Sequence, residues 1–135
     1  MVLNKIKSED LSYFQSFLSE DQVKFDAESF DRYGRDETED FQFNPEVVLI
    51  PSSVEEISKI LRYCNEKGFA FTTRGAGTGL SGGALPIHGG VLCSMERFNK
   101  ILDIDEENLQ ATVEPGVINQ VFQEAVIERG LFYPP

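Results

Sequence analysis

Residues 74–84 read Arg74-Gly75-Ala76-Gly77-Thr78-Gly79-Leu80-Ser81-Gly82-Gly83-Ala84, and seven of the chain's eleven glycines fall between Gly75 and Gly90. Glycine loses more freedom on ordering than any other residue, so such a concentration points to a backbone shape the chain needs. A run without Cβ atoms lets successive N–H groups converge into an anion-sized nest. Arg74 is the only cation in the run. The run as a whole offers more donors than one carboxylate can use, so the expected ligand is a diphosphate.

Two known glycine motifs do not fit this run. Gly77-Thr78-Gly79-Leu80-Ser81-Gly82 has the G-x-G-x-x-G spacing, with Asp103 roughly 20 residues on, as in a dinucleotide fingerprint. That fingerprint also needs a helix starting inside the motif. Gly83, Pro86, Gly89 and Gly90 follow instead, and no helix survives that sequence. A Walker loop fails because Gly83 stands where its lysine belongs. Flexible linkers are Gly/Ser-rich and polar, whereas apolar strands bracket this run, so a bare mobile loop is disfavoured. A Gly79→Val exchange is expected to block a diphosphate and to force unfavourable dihedrals.

Other reactive side chains point to structure. Cys64 and Cys93 lie in apolar patterns and read as buried thiols. His88, the only histidine, reads as a loop residue, and Asp103, Asp105, Glu106 and Glu107 as a solvated turn. No metal site is expected.

The chain has 135 residues and a formal net charge of −11. That length suits one domain with a real core. The charge disfavours nucleic acid or an anionic membrane as a partner. An acidic protein that holds phosphate must do so with local dipoles, in keeping with a nest and one arginine. No apolar run approaches the ~18 residues of a membrane span and no leader pattern is seen, so a cytoplasmic protein is expected.

The elements around the loop follow from periodicity. Ser8 is a candidate cap for a helix carrying Leu11, Phe14, Phe17 and Leu18. Residues 20–40 carry nine acids against three bases and read as ordered but irregular, with a solvated acidic face. Val47-Val48-Leu49-Ile50 reads as a strand buried on both faces. Ser53 and Glu56 form a capping-box pattern before a helix with Ile57, Ile60, Leu61 and Cys64 on one face, stopped by Gly68. Phe69-Ala70-Phe71-Thr72-Thr73 is a second strand, completing a parallel βαβ unit. The glycine loop therefore leaves a carboxyl strand end, where α/β sheets bind ligands. Beyond it lie short strands at Val91-Leu92-Cys93-Ser94-Met95 and Ile101-Leu102-Asp103-Ile104, and a half-exposed antiparallel one at residues 109–114. Pro115-Gly116 ends the last. A helix with Ile118, Val121, Phe122, Ala125 and Val126 then runs to Gly130. The closing Leu131-Phe132-Tyr133-Pro134-Pro135 reads as a turn into further structure, so a piece of a longer chain is expected.

These residues resemble a known family. Pro45-Glu46-Val47-Val48, the helix start from Pro51 to Ile57 and the glycine loop are similar to the N-terminal part of FAD-linked oxidases, the vanillyl-alcohol oxidase/p-cresol methylhydroxylase (PCMH) superfamily. Gly89-Gly90-Val91, Arg97-Phe98-Asn99, Ile101-Leu102-Asp103-Ile104 and Val113-Glu114-Pro115-Gly116 extend the likeness. Together with Tyr33-Gly34-Arg35-Asp36, it is nearest to the branch of the glycolate oxidase catalytic subunit and D-lactate dehydrogenase.

The resemblance implies an α+β fold, a PCMH-type FAD-binding domain over residues 45–135, truncated at its C-terminus. That domain would comprise a βαβ first subdomain and the start of a second, after an acidic helical and irregular segment at residues 1–44. It implies FAD as cofactor. Arg74, Gly75, Ala76, Gly77, Thr78, Gly79, Leu80, Ser81 and Gly82 would lie on the pyrophosphate. Pro115 and Gly116 would lie on the flavin side, and Tyr133 and Pro134 would begin another lining segment. In this family the catalytic histidine and any metal ligands lie in a substrate domain, so no catalytic residue is expected here and the chain alone should be inactive. The implied activity is hydride transfer from a 2-hydroxy acid, D-lactate or glycolate, to FAD. Peripheral membrane association of the parent is compatible with this branch. Another flavoprotein of the superfamily (a carbohydrate oxidase, a cell-wall reductase or an ether-lipid synthase) or a non-catalytic nucleotide-binding module stay open at this point.

Overall fold

The computed structural model describes residues 2–38 and 40–134. Its centre is a four-stranded sheet made of β1 (Val23–Lys24), β2 (Val47–Leu49), β3 (Phe71–Arg74) and β4 (Val91–Ser94). The spatial order is β1-β2-β4-β3, with β1 antiparallel and the other three parallel. The expected βαβ unit is present as β2, helix α3 (Val54–Lys67) and β3, but its strands are not neighbours. Strand β4 enters between them, pairing Val91 with both Val47 and Phe71. It is buried throughout, so the centre is where its two faces find cover.

Alternation along β2 and β4 sorts the core into two layers. Val47, Leu49 and Val91 face one side, where Phe14, Leu18, Ile60, Cys64 and Phe69 close over them. Val48, Ile50 and Leu92 face the other side and meet Tyr33 and Phe30 of helix α2 (Ala27–Tyr33). Each fully buried aliphatic chain of this kind contributes about 1.5–3 kcal/mol.

Caps follow the expectation in part. Ser53 Oγ accepts from Glu56 N, and Gly68 ends α3 in the left-handed region at φ +68°. The reciprocal arm of the capping box is shifted by one residue, since Glu56 Oε2 accepts from Ser52 N at 2.7 Å. Helix α1 (Ser8–Gln15) is capped at Lys7, not Ser8. Asp10 explains this, because its carboxylate accepts from Lys7 N and, at 2.8 Å, from the Tyr63 hydroxyl. That bond, with Tyr13 stacked on Tyr63 at 3.9 Å, fastens α1 to α3.

The acidic stretch is more regular than expected. It holds a 3-10 turn (Glu20–Gln22), edge strand β1 and α2, whose cap Asp26 accepts from Ser29 N. Apolar Val23, Phe30 and Tyr33 have the sheet to pack on, which local composition does not reveal.

Strands β5 (Ile101–Asp105) and β6 (Gln110–Val113) pair antiparallel as a separate ladder, followed by helix α4 (Asn119–Ile127). The expected half-exposure of β6 is not found, as all four of its residues are exposed. The acidic turn before it is closed by Asp105, which accepts from Asn108 N and Nδ2. Both cysteines are buried free thiols, pushed up to about 12 by desolvation and so unreactive. No described helix is long and apolar enough to cross a membrane.

Candidate cofactor-binding site

Parallel pairing of β3 with β4 builds the site. The register sets Arg74 opposite Ser94, and Met95 N donates to Arg74 O at 2.8 Å. The chain therefore leaves both strands side by side, with Gly75 and Ala76 on one path and Glu96 on the other. A third path joins them where Gly116 N donates to Phe98 O at 2.7 Å. Gly116 is tightly seated, since a Cβ there would overlap Met95 O and lie 2.7 Å from Phe98 O. Gly75 faces it, with a Cβ position 3.2 Å from Pro115 O.

These paths enclose a cavity of about 440 Å³ lined by Arg74, Gly75, Ala76 and Gly116. Arg32, Tyr33, Glu96 and Asn99 add polar walls, and Ile118 and Val121 an apolar one. Tyr33 is the junction. Its ring lies under two guanidinium groups, Arg32 at 5.3 Å and Arg74 at 5.8 Å, and its hydroxyl donates to Glu96 Oε2 at 2.9 Å. Arg74 Nη1 donates to the carbonyls of Arg35 and Tyr33, and its Nε and Nη2 have no hydrogen-bond partner among the described residues. Burial pulls the Arg74 pKa down from its ordinary value, opposed by the charge of Asp36, and a guanidinium stays cationic regardless. Asp36 Oδ2 is buried beside it with no hydrogen-bond partner among the described residues.

The thirteen residues expected at the site separate into groups. Arg74, Gly75, Ala76 and Gly116 line one cavity, and Pro115 adjoins it through its carbonyl. Gly77 supports it from behind. It holds φ +75°, and a Cβ there would overlap the Arg74 guanidinium. Thr78, Gly79, Leu80 and Ser81 are exposed and outside the cavity. Gly82, at φ +72°, already spends its N–H on Thr38 Oγ1 at 2.9 Å. Tyr133 lies in a second, mostly apolar cavity of about 570 Å³ between α4 and the hairpin, edge-on to Phe122. Pro134 is exposed.

The expected strain at Gly79 is corrected by the structure: its φ is outside the left-handed region and a Cβ meets nothing within 4 Å. Arg32, Tyr33, Glu96, Asn99, Ile118 and Val121 were not anticipated as lining residues. The 33–36 segment carried a signal for Tyr33. Glu96 had none, because its place beside Arg74 comes from the insertion of β4.

Tyr33 also makes a measurable prediction. Burial first, then the hydrogen bond and charge of Glu96, push its phenol up to about 12 from 10.0. Burial and Asp10 do the same to Tyr63. Both raise the folded-state value, so their stabilisation is complete below pH 10 and is lost as pH climbs towards 12. Stability to urea should fall across that window. Phenolate absorbance should show two tyrosines ionising late, and Tyr33→Phe should remove one.

The FAD binding domain family matches residues 45–135. The glycolate oxidase subunit GlcD of Bacillus subtilis is 47% identical over 103 residues, covering 76% of this chain and 22% of that protein. A D-lactate dehydrogenase of Anaerostipes hadrus is 44% identical over 92 residues, 67% of this chain and 19% of that one. Among solved structures, the 4-ethylphenol oxidase of Gulosibacter chungangensis superposes with a TM-score of 0.79 at 28% identity, over 96% of this chain and 27% of its own. The chain belongs to the FAD-binding domain family, with PCMH-type flavoenzymes as its structural neighbours. It spans about a fifth of the length of the curated relatives it matches.

The cavity suits the phosphate-bearing part of such a cofactor, since the Arg74 cation stands in its wall beside the backbone of Gly75 and Ala76.

Proposed function

We propose that this chain is the FAD-holding part of a flavin-dependent oxidoreductase acting on a 2-hydroxy acid of the D-lactate or glycolate type. The observation that carries the reading is the meeting of Arg74, Gly75 and Ala76 with Gly116 around one cavity. The substrate class is supported by relatives named glycolate oxidase subunit, D-lactate dehydrogenase and D-2-hydroxyglutarate dehydrogenase.

Bound FAD supplies the acceptor for a hydride leaving the α-carbon of the hydroxy acid. The residues here hold and orient. Arg74 counters diphosphate charge through Nε and Nη2, while Gly75 and Ala76 let the ligand approach the backbone. Ile118 and Val121 offer an apolar wall on one side. Pro115-Gly116 fixes that wall against the exit of β4. The substrate contacts, and the base that takes the hydroxyl proton, belong in this reading to a further domain outside these 135 residues.

The chain alone, supplied with FAD and a dye acceptor, should therefore show no oxidation of D-lactate or glycolate above a no-protein control. Turnover by the purified chain would contradict the assignment of a holding role.

A further inference from the structure

Glu96 is an acid in a cavity whose family ligand is a polyanion, which calls for a reason. Among the described residues it is in no contact ion pair, although Arg32 and Arg74 share the cavity. It is held in one pose. The Tyr33 hydroxyl donates to its Oε2 at 2.9 Å and the buried Ser94 hydroxyl donates to the same oxygen at 3.0 Å. Oε1 has no donor among the described residues, and the side chain faces the cavity. A carboxylate is acceptor-only and has lone pairs to spare, so the fixed group presents an unused acceptor.

The same charge repels phosphate. The cavity thus presents two kinds of group around Tyr33, the Arg74 guanidinium with the backbone of Gly75 and Ala76, and a pinned carboxylate. An anion belongs at the first and a neutral hydroxyl or N–H donor at the second.

We propose that Glu96 is a specificity-determining residue that accepts a hydrogen bond from a neutral donor of the cofactor, a sugar hydroxyl or ring N–H, and so sets which way the cofactor lies. This rests on the cavity being the FAD site.

The test is Glu96→Gln in the 135-residue chain, titrated with FAD, ADP and inorganic pyrophosphate. Glutamine keeps a carbonyl acceptor for Tyr33 and Ser94, and an unchanged melting temperature checks that. Exchanging a charge-assisted bond for a neutral one should raise the Kd for FAD about tenfold. Pyrophosphate, which has no such donor, should bind equally or more tightly once the charge is gone. Weakening shared by FAD and ADP assigns the donor to the adenosine half; weakening with FAD alone assigns it to the flavin half. Unchanged or improved FAD binding by Glu96→Gln, with the wild type binding normally, would overturn the proposal. A wild-type chain that binds none of the three probes at millimolar concentration overturns the functional reading itself, and this proposal with it.

Discussion

Replacing Gly116 by valine should cost the chain about 3–4 kcal/mol of stability, summing overpacking and a lost backbone hydrogen bond. The first new carbon would fall onto the carbonyl oxygens of Met95 and Phe98, and both are backbone. Neither can swing aside as a side chain would. Relief means moving the β4 exit or the 115–116 turn, which breaks the 2.7 Å bond from Gly116 N to Phe98 O. Domains are stable by only about 5–15 kcal/mol, so such a loss is a large share. Gly116→Ala brings the same carbon with less bulk and should fall between valine and wild type. Gly79→Val is the control. Its site is open and its φ lies outside the left-handed region, so its unfolding free energy from urea titration should stay within about 0.5 kcal/mol of wild type. Equal losses at the two positions would mean that the contacts at Gly116 do not govern this wall.

The second large effect is on the ligand. Arg74→Ala should weaken FAD binding by about 1.5–3 kcal/mol, roughly 10- to 150-fold, the value of a charge-assisted contact. Lysine should restore only part of it. A guanidinium can hold the carbonyls of Tyr33 and Arg35 with Nη1 and still direct Nε and Nη2 at a phosphate. An ammonium is one point on a flexible stem and must choose. Gly77→Ala should weaken FAD in the same direction without touching the charge. Its Cβ takes the place of the guanidinium, and the left-handed backbone at φ +75° adds about 1–2 kcal/mol of strain. Isothermal titration of the three variants reads all of this. Undiminished affinity in both Arg74→Ala and Gly77→Ala would remove Arg74 from the ligand.

Local signals carried much of this fold. Val47-Val48-Leu49 showed burial on both faces because a run without polar residues has no solvent side. Gly68 and Ser53 marked the ends of α3 because terminal backbone groups need specific partners. Of the residues singled out from the sequence, Arg74, Gly75, Ala76 and Gly116 share one cavity wall. The rest depends on contacts between distant residues. Tyr33 and Glu96 are 63 positions apart, and only the insertion of β4 between β2 and β3 brings them together. The glycine run serves more than one purpose: Gly77 makes room for the Arg74 guanidinium, Gly82 donates to Thr38, and residues 78–81 are exposed.

The most direct test of the central claim is a titration of the labelled chain with FAD, followed amide by amide by NMR. The account predicts that the amides of Gly75, Ala76 and Gly116 move together at low occupancy, with Tyr33 and Glu96 following and residues 78–81 changing little. Shifts confined to the exposed part of the loop, or to the cavity around Phe122 and Tyr133, would contradict it.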